Sequence, residues 1–307
     1  MKTALILWLG LLVACSGTTN GTDTTASPDV QETADTTASD PGQTATDPGQ
    51  TNTDPGQTIV DEGAEADTSD VVEHFCPETT EAQVAAAGVE VNALGDPSDG
   101  AKQTFVCVPP GAGPFPAVLY NHGGLNNVVG GDLEGTCTAL ANAGYLARAE
   151  YRPGELVLPQ HLQQVYDGLD ALREHTLADT NRVGILGFSR GGLLSLHVAI
   201  ERNSDVQAVV LMAPAPGGGM LSLSSTLDED VAQISAPVRV YVSANDLFQA
   251  DHVQLAADVY NTLTDYEKDV ELIDYPAFCS DGHELFFEVR EPYWSDVLSF
   301  LDATIGN

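Results

Sequence analysis

This sequence predicts an α/β architecture, a mostly parallel sheet of about eight strands with helices on both faces. Three observations carry that expectation. Short runs such as Val183-Gly184-Ile185-Leu186 are apolar at consecutive positions and bounded by turn residues, which suits strands buried on both sides. Segments of helical period alternate with them, for example Leu162, Val165, Tyr166, Leu169 and Leu172. Finally, Gly187-Phe188-Ser189-Arg190-Gly191-Gly192 sits where one such run meets an apolar helical stretch, the setting of a sharp strand-to-helix turn.

In chain order, residues 104–108, 116–120 and 145–149 read as strands, each ended by a turn or loop sequence. Residues 162–177 follow as a helix, 183–186 as a strand, 193–201 as a helix and 206–212 as a strand. Residues 237–242 are the next strand, 253–263 the next helix, 270–273 the last strand and 291–303 a closing helix. Ligands of such sheets sit beyond the carboxyl ends of the strands, which directs attention to the segments following 120, 186, 242 and 273.

Ahead of this scaffold the composition changes twice. Residues 1–14 carry Lys2, an apolar run from Ala4 to Val13, and small residues before a cysteine. That pattern reads as an export signal too short for a stable membrane span. From 15 to 70 the chain is Thr, Asp, Gly, Pro and Gln with hardly a large apolar side chain. Such a segment buries too little surface to offset its ordering entropy, so a disordered tether is expected. Asp-Pro-Gly-Gln recurs from Asp40, Asp47 and Asp54, a linker repeat with no apolar heptad positions. As a soft chain it spans roughly 40 Å root-mean-square. Residues 71–307 are then expected to form one domain with an ample core.

Formal net charge is −34, from 45 Asp and Glu against 11 Lys and Arg. Such a surface repels polyanions, so nucleic acid and anionic lipid surfaces are not expected partners. Arg148, Arg152 and Arg190 stand out in this background; the first two are read as structural ion pairs, and any of the three could meet an acidic group of a substrate.

Apart from Cys15 there are four cysteines, Cys76, Cys107, Cys137 and Cys279, an even number in an exported chain. They predict two disulfides, with three connectivities possible; the reading leans to Cys76 with Cys107 and Cys137 with Cys279. Their spacing fits no compact zinc site, and no metal or cofactor is expected.

The chemistry is read from Ser189. A serine hydroxyl is a poor nucleophile at neutral pH and needs a base that takes its proton and returns it to the leaving group. His283, in Cys279-Ser280-Asp281-Gly282-His283-Glu284 between the last strand and the closing helix, is placed for that role. His161, His175, His197 and His252 fall on helices, where packed or solvated roles are expected, and His74 lies in the chain's entrance to the domain. A third group must orient the imidazole, and Asp246, in Ser243-Ala244-Asn245-Asp246 just after a strand, fits best. Of its rivals, Asp251 reads as a helix start and Asp281 lies too near His283 in sequence. For a developing oxyanion, the backbone N–H of Arg190 and one from Gly124 or Leu125, after His122-Gly123-Gly124, are the candidate donors. His122 itself is read as structural.

The order Ser189, Asp246, His283, with His122-Gly123-Gly124 upstream, resembles the α/β-hydrolase superfamily. The stretch from Asn181 through Gly187-Phe188-Ser189-Arg190-Gly191 to Gly192 is most similar to its dienelactone-hydrolase-like and prolyl-oligopeptidase-like branches. That resemblance, covering 104 to the end, implies a serine hydrolase acting on small carboxylic esters, with an oligopeptidase or an idle ligand-binding scaffold as alternatives. Ser189 stands where true dienelactone hydrolases carry cysteine. Leu12-Val13-Ala14-Cys15 likewise resembles the lipobox of bacterial lipoproteins, which implies Cys15 as the lipidated first residue of the mature chain. With Ser16 next, that resemblance implies a lipid membrane anchor in the cell envelope, at the outer membrane where the host has one. The segment 213–236 is too short for a large cap, so an open or lightly lidded site is expected.

Overall fold

The structure, a computed structural model, describes residues 76, 81–100, 102–124, 129–154 and 156–306, all within the compact unit Asp67–Asn307. The leader, Cys15, the acidic linker, His74 and Leu125 lie outside the described residues.

Eight strands form one sheet: β1 (Glu90–Leu94), β2 (Thr104–Val108), β3 (Phe115–Asn121), β4 (Leu146–Glu150), β5 (Ala178–Phe188), β6 (Ala208–Met212), β7 (Val238–Ser243) and β8 (Val270–Tyr275). Their spatial order is β1-β2-β4-β3-β5-β6-β7-β8. β1 and β2 run antiparallel to their neighbours and every later pairing is parallel. The helices that cross between the parallel strands are α1 (Leu133–Asn142), α2 (Leu158–Arg173), α3 (Arg190–Glu201) and α4 (His252–Asp265), with α5 (Tyr293–Ile305) closing the chain.

The strand period of two sorts the core into layers. Along β3, Val118 and Tyr120 face one layer with α1 and α5, through Leu133, Leu140, Val297 and Leu301. Ala117 and Leu119 face the other layer with α2, α3 and α4, through Leu169, Leu196 and Val259. This two-sided burial is why the central strands read as continuous apolar runs.

Differences from the sequence expectation have local causes. The helix expected at 162–177 is α2, displaced toward the amino end. Pro159 in its first turn presets the helical φ, and the Gln160 side chain accepts from the Val157 N–H at 3.1 Å. At its other end the Leu177 carbonyl accepts from Phe115 N at 2.7 Å, so that segment is drawn toward the sheet and β5 begins at Ala178, earlier than expected. β1 and α1 carry no strong periodicity; β1 is an edge strand exposed along most of its length and owes its form to pairing with β2.

The disulfide pairing expected from sequence is corrected. Cys107 joins Cys137, fastening β2 to α1, and Cys76 joins Cys279. Sequence distance misleads here, because β2 and α1 are packed neighbours on one face while Cys279 sits at the far end of the chain in the loop before His283.

Candidate active site

β5 ends at Phe188 and α3 begins at Arg190, leaving Ser189 alone at the corner with φ 52 and ψ −116. A non-glycine residue in that region is strained and persists only where its surroundings hold it. Here three backbone hydrogen bonds do so: Ser189 N donates to Met212 O at 2.8 Å, and Ser189 O accepts from Ala215 N at 3.0 Å and Leu193 N at 3.2 Å. The flanking glycines are required by contact. A Cβ on Gly187 would lie 2.3 Å from the Gly191 carbonyl oxygen, and one on Gly191 would lie 1.9 Å from the Asn121 carbonyl oxygen.

Two loops bring the other candidates to this corner. Asp246, fully buried, follows β7 in a turn closed by Asp246 N donating to Ser243 O at 3.0 Å. His283 follows β8 in a short 3-10 turn, Gly282–Phe286. Asn245 stitches the loops together: its side-chain oxygen accepts from Phe278 N at 2.8 Å, and its amide nitrogen donates to Phe278 O and Cys279 O at 3.2 and 3.3 Å. Gly282 packs so closely on Ser243 and Asn245 that a Cβ would meet their side-chain oxygens at 2.6 and 2.7 Å.

His283 Nδ1 lies 2.9 and 3.0 Å from the two carboxylate oxygens of Asp246. With Nδ1–H donated there, Nε2 is left as the basic nitrogen. The ring sits in a box of Phe188, Phe248 and His252, with centroids at 4.7, 5.1 and 4.4 Å. The rival carboxylates are occupied as caps: Asp251 accepts from Gln254 N at 2.9 Å at the start of α4, and Asp281 accepts from His283 N at 3.0 Å.

Ser189 and His283 line one mainly apolar cavity of about 530 Å³, together with Gly124, Arg190, Phe248 and His252. Residues 215–218 also line it; they belong to the short connection 213–236, which holds a small hairpin, a one-turn helix and a 3-10 turn and no large cap. Met220, Leu247, Phe248 and Val157 are exposed apolar side chains on the segments that supply this lining and rim. Leu158, next to Val157, lines the cavity itself.

The His122-Gly123-Gly124 loop is clamped from below. Gly123 and Gly130 exchange backbone hydrogen bonds at 2.7 and 3.2 Å, and His122 Nε2 accepts from Arg152 N at 3.1 Å. The Arg152 guanidinium also donates to the His122 carbonyl. Arg152 is therefore not the structural ion pair expected from sequence: it is buried, and among the described residues its Nε and one terminal nitrogen have no hydrogen-bond partner. Burial brings its guanidinium down to about 9. Arg148 does pair, with Glu150. Arg173, Arg182, Arg202, Arg239 and Arg290 each meet a carboxylate too, whereas Arg190, on the cavity wall, meets none among the described residues. Its guanidinium instead contacts His161 Nδ1 at 3.4 Å, and burial lowers the basicity of both groups.

Burial, reinforced by Arg152, holds the His122 imidazole well below its ordinary value, and burial lowers His252 as well. The unfolded chain takes up these protons near pH 6.5 while the folded chain resists, so stability is complete above that pH and falls as the solution is acidified below it. Each such histidine steepens the loss by about 1.4 kcal/mol per pH unit until its folded-state pKa is reached. Urea midpoints at pH 7.5 and 5.5 measure this; equal midpoints would contradict neutral burial of both rings.

Asp246, His252 and His283 are the described group whose donor types suit a metal, with one ligand atom of each within 4.8 Å of the others. Their donors are already engaged with one another and with the Phe248 and Pro214 carbonyls, which favours a hydrogen-bonded cluster over an ion site. Sequence reasoning placed His252 among packed helix residues and overlooked its contact with His283; its position six residues after Asp246, at the first turn of α4, was the available signal.

A twisted parallel sheet with an antiparallel edge, helices on both faces and a strained serine beyond the central strand define the α/β-hydrolase fold. Over residues 154–305 the chain matches the dienelactone hydrolase family. Among curated proteins it is similar to mouse (Mus musculus) acyl-coenzyme A thioesterase 2, mitochondrial, at 28% identity over 145 residues, covering 45% of this chain and 30% of that one. Acyl-coenzyme A thioesterase 5 of Mus musculus is 31% identical over 134 residues, 42% of this chain and 30% of that one. The chain thus spans under a third of the length of these relatives. Among solved structures, esterase B of Lactobacillus rhamnosis superposes with TM-score 0.55 at 17% identity, covering 72% of this chain and 87% of that one. Dipeptidyl peptidase 4 of Porphyromonas gingivalis gives 0.54 at 17% identity, over 70% of this chain and 35% of that one.

Proposed function

We propose that this chain is a serine hydrolase that cleaves small carboxylic esters through an acyl-enzyme. One observation carries the reading: Ser189, on a strained corner, opens into the same cavity as His283, whose other ring nitrogen is held by both oxygens of Asp246. Ser189 Oγ attacks the ester carbon and passes its proton to His283 Nε2. The oxyanion is met by the N–H of Arg190, first in α3 and free of intrahelical bonding, and by that of Gly124. His283 then protonates the leaving alcohol, and water repeats the sequence to free the acid and the serine. A fluorophosphonate probe followed by a panel of aryl esters tests this assignment. Amides cleaved as fast as esters would move it to a peptidase, and ligand binding without turnover would leave a binding scaffold.

The apolar cavity suits a short acyl or aryl group, and Arg190, without a carboxylate partner among the described residues, suits an anionic group on the substrate. A carboxylate-bearing ester should therefore be preferred over its neutral isostere. In Arg190→Gln the ratio of the two kcat/KM values should fall about tenfold, the effect of roughly 1.4 kcal/mol. An unchanged ratio would remove Arg190 from substrate recognition.

We also propose that the chain is exported and held on the cell envelope by a lipid on Cys15. The two disulfides support an oxidising compartment. Among the described residues no helix is long and apolar enough to cross a membrane. Metabolic labelling with a clickable fatty acid should mark the full chain and lose the mark in Cys15→Ala; label retained in that variant would refute the anchor.

A further inference from the structure

We propose that His252 is a positioning residue of this site: one buried imidazole joins the backbone behind Ser189, the turn that carries Asp246 and the ring of His283. The inference rests on the ester-hydrolase reading above.

The His252 ring touches all three parts. Its Nε2 lies 3.0 Å from the carbonyl oxygen of Phe248, in the turn after Asp246, and its Nδ1 lies 3.2 Å from that of Pro214. Pro214 precedes Ala215, whose N–H holds the Ser189 carbonyl at 3.0 Å. The backbone N–H of His252 closes the Asp246 turn by donating to Asp246 O at 3.1 Å. Its ring packs on that of His283 with centroids 4.4 Å apart, and the Phe248 ring, held through the same carbonyl, stacks on His283 from 5.1 Å at 18°.

A neutral imidazole has one N–H to offer two carbonyls. A charged ring would satisfy both. Burial opposes that charge, and so would an imidazolium forming beside it on His283; the Asp246 carboxylate favours it. Burial is the largest of these influences, so His252 stays neutral and its proton goes to the nearer carbonyl, that of Phe248. The turn bearing Phe248 is thereby fixed, and with it one wall of the box that keeps the His283 ring in line with Asp246. Loss of this hydrogen bond should let the ring rotate without emptying the substrate cavity.

The test compares His252→Leu, which keeps apolar bulk, with His252→Gln, whose side-chain amide can still donate to the Phe248 carbonyl. The leucine variant should lose about a hundredfold in kcat, the scale of a 1 Å misplacement, a loss larger than any accompanying change in KM. The glutamine variant should recover to within about threefold of wild type, on the order of 0.6 kcal/mol. A second readout needs no turnover: the low-field proton resonance of the His283–Asp246 hydrogen bond should be present in wild type and His252→Gln and be lost or displaced in His252→Leu. If leucine leaves kcat and the resonance unchanged, the inference fails. If leucine and glutamine lose activity equally, in step with a lowered thermal midpoint, His252 is only a packing residue and the inference also fails. Should the wild-type chain hydrolyse no ester, the functional reading falls separately, and the resonance still decides whether His252 aligns the pair.

Discussion

Ser189→Ala should abolish both fluorophosphonate labelling and ester turnover, with kcat lowered on the order of 10⁶-fold and the fold intact. The size of the effect follows from the division of labour in such sites: without the nucleophile, the base and its orienting acid contribute nothing separately, and oxyanion donors and substrate binding alone leave a residual on the order of 10³ over water. His283→Ala should fall by a similar factor. Asp246→Asn should fall less, by about 10⁴, because the imidazole would be held in the wrong tautomer while its geometry survived. The double variant Ser189→Ala/His283→Ala should be scarcely worse than either single one, since the two act as a unit. Labelling that persists in Ser189→Ala would remove the proposed mechanism. The structural cost of Ser189→Ala is small, because the described hydrogen bonds that hold the corner come from the backbone of residue 189.

Gly191→Ala should be the most damaging glycine-to-alanine change among the described residues. Two effects oppose each other. Alanine is about 1 kcal/mol better than glycine inside a helix, and residue 191 lies in the first turn of α3. Against this, the added Cβ would stand 1.9 Å from the Asn121 carbonyl oxygen and 2.7 Å from that of His122, both rigid backbone. Overpacking of this kind costs about 3 kcal/mol or more, so the clash wins. The carbonyls it strikes belong to the end of β3 and the start of the His122-Gly123-Gly124 loop, so relief by backbone movement would displace Gly124 as well as Ser189. The urea midpoint and the rate of fluorophosphonate labelling should therefore fall together. Gly218→Ala is the matched control for the urea midpoint, because nothing lies within 4 Å of its Cβ position. A Gly191→Ala protein with wild-type stability and labelling would mean that the close packing around Ser189 is not required.

Much of this molecule was legible before folding was considered. The two-sided core makes β3, β5 and β6 apolar at successive positions, and helix periodicity marks α2, α4 and α5 while α3 is apolar nearly all round, because burial imposes a local composition on the segments it encloses. β1 was not legible: an exposed edge strand is stabilised by its neighbour's backbone rather than by its own side chains. The two ends of α2 shifted for different reasons: a local proline and glutamine set the first, and a hydrogen bond to β3 set the second, as a neighbour does for β1.

By itself, the sequence determined the fold class and nominated Ser189, Asp246 and His283, because a strand-to-helix corner with small flanking residues and polar loops beyond strand ends are local patterns. Tertiary structure alone decided which cysteines meet, that Arg152 is buried beneath a glycine loop while Arg190 faces the cavity, and that His252 rests on His283. Those are contacts between elements distant in sequence or between a helix start and a separate loop. They arise from how layers pack in three dimensions, and no periodicity along the chain encodes them.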